Sequence, residues 1–105
     1  GAQFGAPHGA LCGRLLWPVL QRNLACANGE TQARLAYCVD AIAQVFPESI
    51  EVWTAAHNLP RLADWGVREA DLVDLASRGH GASSSRKNAV NLEPKAFLQV
   101  LRDAL

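Results

Sequence analysis

Hydrophobic residues recur along this chain at spacings of three and four, and no stretch alternates with period two. The first spacing is that of a helix, and the second would mark a strand. From His8 to about Leu24 the stripe is Leu11, Cys12, Leu15, Leu16, Val19 and Leu20, with Ala10 and Trp17 beside it and Arg14, Gln21 and Arg22 off it. Pro18 interrupts this stretch. It should kink the helix or remove one backbone bond, at a cost of roughly 3 kcal/mol that packing must offset. Asn28-Gly29 is a turn signal. From Glu30 to about Phe46 an apolar face of Ala33, Leu35, Ala36, Cys38, Val39, Ile42, Val45 and Phe46 opposes Gln32, Arg34, Asp40 and Gln44. This is the clearest amphipathic helix.

Pro47 closes that helix, and Pro47-Glu48-Ser49 can start another with Ile50, Val52, Trp53 and Ala56 as its buried candidates. His57-Asn58-Leu59-Pro60 stops it. Arg61 to Gly66 reads as a loop tacked down by Leu62 and Trp65, and about Arg68 to Ser77 as a short helix with Val67, Leu72, Val73 and Leu75 inward. Gly79 to Asn91 is small and polar and should be the longest loop. A last helix opens at Glu93-Pro94 and carries Phe97, Leu98, Leu101 and Leu105. The pattern predicts an all-α protein, a single helical domain over 1–105 with about five helices in a bundle-like array.

Composition adds to this picture. Charged residues make up 19% of the chain, below the roughly 25% usual for soluble domains. Ten basic and ten acidic residues cancel, so the charge balance speaks against nucleic acid and against an anionic membrane surface as partners. Low charge at zero net balance predicts that apolar surface is normally covered. A homo-oligomer through the apolar first helix, with Phe4, Leu11, Leu15 and Trp17 in the patch, would cover it, and so would a neighbouring domain. No apolar run approaches the roughly 18 residues that span a bilayer. Three widely spaced cysteines fit a reduced, cytoplasmic protein better than a disulfide scaffold. The chain has no methionine, so it is expected to be a segment of something longer or to carry a replaced start.

Candidate chemistry is sparse. No nucleophile elbow, phosphate-cradling glycine loop, paired-cysteine zinc pattern or dinucleotide fingerprint is present. The Ser83–Ser85 run reads as loop, and Arg86-Lys87 as solvated charge. His57 suits a hydrogen-bonding role at a helix end, and His80 a solvated loop. Trp17, Trp53 and Trp65 read as core anchors. His8 is different. Pro7 favours the first turn of a helix, and the macrodipole there disfavours imidazolium, leaving the neutral ring that a metal needs. Cys12 lies one turn on and faces the same way, so the pair could offer half of a metal site, with no third ligand near in sequence.

Gly-Ala-Gln-Phe-Gly-Ala-Pro-His-Gly-Ala at the start, followed by Leu-Leu-Trp-Pro-Val-Leu-Gln-Arg-Asn, resembles the iron-containing alcohol dehydrogenases and the related maleylacetate reductases. Leu59-Pro60-Arg61-Leu62 with Trp65-Gly66-Val67 and Glu69-Ala70-Asp71-Leu72 is similar to their "G-I-P-x-L…G-V-x-E-x-D-L" segment. Ser84-Ser85-Arg86-Lys87-Asn88 and Leu92-Glu93-Pro94 resemble their C-terminal ending, although Arg86 stands where methionine is usual and Ala89 where proline is. The resemblance implies the C-terminal, metal-binding helical domain of an NAD(P)-dependent oxidoreductase, with His8 matching the last of four iron or zinc ligands. It places the other ligands, one aspartate and two histidines, in an upstream part, together with the NAD(P)-binding domain. It therefore implies no catalytic residue and no cofactor-binding residue in this chain, and no cofactor held by the chain alone. A non-enzymatic interaction module that kept the fold, or one part of a split oxidoreductase, is the alternative.

Overall fold

The computed structural model describes residues 4–45, 48–82 and 87–105, with Ile50 described by its backbone alone. Phe46, Pro47, Ser83–Ser85 and Arg86 lie outside the described residues. Five α-helices carry the fold: α1 (His8–Cys26), α2 (Gly29–Val45), α3 (Ile50–Ala56), α4 (Leu72–Gly81) and α5 (Pro94–Ala104). Among the described residues there is no strand, so the fold is all-α as its apolar spacing predicts. No helix there is long and apolar enough to cross a membrane.

Local chemistry explains the ends of these elements. The Ser49 hydroxyl accepts the Val52 backbone N–H at 3.2 Å and so caps α3. Pro94 sits in the first turn of α5, where its missing N–H costs nothing. Pro18 is buried inside α1 without ending it, so its effect is the loss of one intrahelical bond. Gly13 lets α1 approach the chain after α3: a Cβ there would lie 3.3 Å from Leu59 Cδ1.

Between α3 and α4 the expected loop is more regular than its composition suggests. Leu62–Trp65 and Glu69–Asp71 each form a short 3-10 turn. The Arg61 backbone N–H donates to Asp64 Oδ2 at 2.8 Å, and the Arg68 backbone N–H donates to Asp71 Oδ2 at 2.9 Å. Gly66 ends the first turn at φ 85, a left-handed conformation that suits glycine. The second turn delays α4 to Leu72, and α4 then runs to Gly81, so His80 belongs to its last turn rather than to a loop.

Asp71 yields a test of these turns. The Arg68 backbone N–H, and after it the Arg68 side chain, holds the Asp71 carboxyl below its ordinary value, against an opposing push from burial. A depressed carboxylate contributes stability that is present above its unfolded pKa, near 4. That contribution disappears as the pH falls through the lower folded value. Asp71→Asn is therefore expected to flatten the part of the stability curve below about pH 4, in urea titrations run between pH 2 and pH 7. An unchanged acid limb would show that the carboxylate does not hold the turn.

Packing is most extensive between α4 and α5; α1 lies on α5, and α2 and α3 pack against α1. Leu62, Val67, Leu72 and Ala104 form the buried cluster, ringed by Phe4, Leu11, Leu15, Leu75, Leu98 and Leu101. The molecule measures 35 × 30 × 19 Å. Its short axis is about two helix diameters, so two layers of helices enclose little volume. Only Leu72, among the large side chains described, is enclosed completely. The Asn23 and Asn88 amides pair reciprocally at 2.9 and 2.7 Å, and Asn88 Nδ2 also donates to the Val90 carbonyl at 2.7 Å. That pair ties the chain before α5 to α1.

The thin slab alters several expected burials. Phe4, Leu11 and Leu15 are not an open patch but the rim of the core. α2 has no buried residue: Leu35, Ala36, Val39 and Ile42 are half-buried, while Cys38 and Val45 are exposed. An apolar arc that broad is wider than α1 alone can cover. Val73 was expected inward and is 67% exposed, along with Leu16, Tyr37, Val45 and Val52. The tryptophans are half-buried anchors rather than central ones, and all three cysteines are exposed thiols.

Candidate functional site

His8 opens α1 and is exposed. Pro7 precedes the helix in an extended conformation, and its carbonyl accepts the Leu11 backbone N–H at 3.0 Å. The helix places Cys12 one turn further along the same side, with Sγ 3.6 Å from His8 Nε2. The structure thus brings together the His8–Cys12 pair that the spacing predicts. It brings nothing further to it: among the described residues no three His, Cys, Asp or Glu side chains form a group able to hold a metal ion.

The other histidines serve the helices that carry them. His57 follows α3, where its Nδ1 lies 2.9 Å from the Trp53 carbonyl and its ring packs on the Trp53 ring at 4.2 Å between centroids. That is the helix-end role expected of it. His80 meets Phe97 edge-on at 5.7 Å, pinning the end of α4 to α5.

A second constellation lies where α1, α3 and α5 meet the segment after α3. A cavity of about 390 Å³ is lined there by Arg14, Trp17 and Arg22 of α1, Thr54 of α3, Arg61, and Asp103 of α5. Arg14 is 9% exposed. Its Nε donates to the Pro60 carbonyl at 2.8 Å, and its second guanidinium nitrogen donates to the Leu59 carbonyl. Burial, and then the like charge of Arg61, pushes the Arg14 pKa down, with Asp64 opposing. Arg61 donates to the Asp103 backbone carbonyl at 2.7 Å, while Arg22 faces the Asp103 carboxylate at 3.8 Å. Two donors on these side chains, Trp17 Nε1 and Arg22 Nε, are closed off from solvent and have no partner among the described residues.

Arg14, Gln21 and Arg22 lie off the apolar stripe of the first helix, and the pattern of that helix alone assigns them no cavity. The signal that could have found it is local. Arg14, Trp17-Pro18 and Gln21-Arg22 follow one another at three to four residues, which is one side of a helix. Arg61 and Asp103 lie too far along the chain for any such spacing to reveal.

No family model matches the chain, and no curated protein and no solved structure is found similar to it.

Proposed function

We propose that this chain is the C-terminal helical domain of an NAD(P)-dependent, metal-dependent alcohol dehydrogenase-like protein and has no catalytic activity by itself. The observation that carries the reading is the ordered set of motifs from Pro7-His8-Gly9 through Leu59-Pro60 to Leu92-Glu93-Pro94. Its all-α fold is compatible with that domain, and His8 stands exposed at the head of α1, free to face a neighbouring part. In the complete assembly an iron or zinc ion held partly by His8 would polarise the oxygen of an alcohol or carbonyl. The described residues of this chain do not complete that site, since His8 has Cys12 beside it and no third ligand. No step through metal or nicotinamide is therefore assigned to the chain. Its free thiols suit a reducing, cytoplasmic setting.

The reading is tested upstream of the codon for Gly1. An open frame there encoding an aspartate and two histidines is expected, and the joined protein should retain about one metal ion per chain through dialysis. His8→Ala should then remove that ion, because one missing ligand costs most of the affinity of a preorganised site. A stop codon directly before Gly1, or tight stoichiometric metal on the 105-residue chain alone, would overturn the reading.

The exposed apolar side chains Leu16, Tyr37, Val45 and Val52 favour a second reading, a helical module that associates with copies of itself. On that reading, sedimentation at rising concentration should reveal self-association that Val45→Glu weakens. A strictly monomeric chain would speak against it.

A further inference from the structure

We infer that the apolar cavity where α1, α4 and α5 converge binds a small amphiphile with one apolar chain and a carboxylate head, a medium-chain fatty carboxylate. This inference does not depend on His8 or on the dehydrogenase reading. The cavity measures about 380 Å³ and is walled by Leu15 and Val19 of α1, Leu75 of α4, and Phe97, Val100 and Leu101 of α5. All of these but Val100 are half-buried, so apolar surface remains for a ligand to cover. Gly79 of α4 widens the hollow: a Cβ there would lie 3.6 Å from Phe97 Cδ1. His80 meets the Phe97 ring edge-on and steadies that wall.

The polar part of the wall selects the head. Among the described lining residues only Lys87 and Asn88 carry polar side chains. Asn88 is spent internally: its Nδ2 donates to Asn23 Oδ1 and to the Val90 carbonyl, and its Oδ1 accepts from Asn23 Nδ2. Those bonds tie the residue next to Lys87 onto α1, so this edge of the cavity is in place before a ligand arrives. Lys87 is exposed and has no ion-pair partner among the described residues. An ammonium on a flexible stem beside an apolar hollow attracts an anionic head and repels a cationic one. No described carboxylate lines the cavity to offset it. The other side chains of the wall are apolar, so the hydroxyls of a sugar or the ring nitrogens of a nucleotide base would be left unpaired among them. Size limits the body of the ligand. A volume of about 380 Å³ is near the low end of the range usual for ligand sites, room for a single chain of moderate length rather than the paired chains of a membrane lipid.

The test is calorimetric titration of the whole chain with octanoate, octanol and octylammonium at neutral pH and low ionic strength. Octanoate is expected to bind saturably, with nuclear Overhauser contacts from its chain to the Phe97 ring. It should bind about threefold more tightly than octanol, the size of an exposed ion pair, and octylammonium should bind least. Lys87→Glu should reverse that order. Gly79→Leu puts a good helix former in place of glycine and should fill the hollow, weakening all three probes by more than about tenfold. If Gly79→Leu does not fold, Lys87→Glu at its exposed position decides. Absence of saturable binding, chain contacts to a surface away from Phe97, or an order of affinities that Lys87→Glu leaves unchanged would each overturn the inference. An affinity that falls as the protein concentration rises would overturn it as well, since a second copy of the chain would then close the hollow.

Discussion

Leu72→Ala is expected to lower the free energy of unfolding by about 3 to 5 kcal/mol, read from urea denaturation followed by far-ultraviolet circular dichroism. The magnitude follows from position. Leu72 is 0% exposed at the start of α4, where Leu62, Val67 and Ala104 close around it. Truncation removes several buried methyl and methylene groups and leaves a cavity that such a cluster can only partly fill. Among the described residues this is the buried cluster that joins α4 and α5 to the turns before α4. A domain of this size has a total stability of about 5 to 10 kcal/mol, so the variant should sit close to its unfolding midpoint at ambient temperature. Val73→Ala, one residue along and 67% exposed, provides the control and should change stability by less than about 0.5 kcal/mol. Equal losses at the two positions would mean that α4 is packed the other way round.

Much of the fold was legible because the helical signal is local. Leu11, Leu15 and Val19, or Phe97, Leu98 and Leu101, report a helix through residues three and four apart. The failures share a cause in tertiary context. Val73 and Leu72 are equally apolar neighbours, and only the direction from which α5 approaches decides which is enclosed. The apolar arc of α2 predicted burial that needs a second neighbour, and in the described structure α1 shields one side only. The 3-10 turns at Leu62–Trp65 and Glu69–Asp71 hide in a loop-like composition, yet Asp64 and Asp71 stand three residues after Arg61 and Arg68, the spacing of a cap seen from its far end. At the candidate sites the division is the same. The His8–Cys12 pair spans one turn and could be read directly. The arginine cavity joins residues 14, 22, 61 and 103, and only folding brings them together.

Arg14→Met is expected to cost about 2 to 3 kcal/mol, a large effect for a surface-type residue. Its guanidinium accepts nothing and donates to the carbonyls of Leu59 and Pro60, closing the gap where Gly13 lets α1 come close. Methionine keeps the aliphatic stem and so preserves most of the packing, while both carbonyls lose their donor in a poorly hydrated place. Arg14→Lys should recover only part of the loss, because one ammonium on a flexible stem cannot reproduce a planar fork. The consequences should extend beyond the two carbonyls. The segment that Arg14 holds also receives the C-terminus of α5, through Arg61 on the Asp103 carbonyl at 2.7 Å and the Ala63 backbone N–H on the Leu105 carbonyl at 3.2 Å. Hydrogen exchange at the Ala63 amide should therefore accelerate in Arg14→Met more than exchange in the middle of α2, which that segment does not support. Uniform acceleration would instead mean that Arg14 contributes to global stability without clamping the junction. The cavity's first arginine is thus a structural clamp.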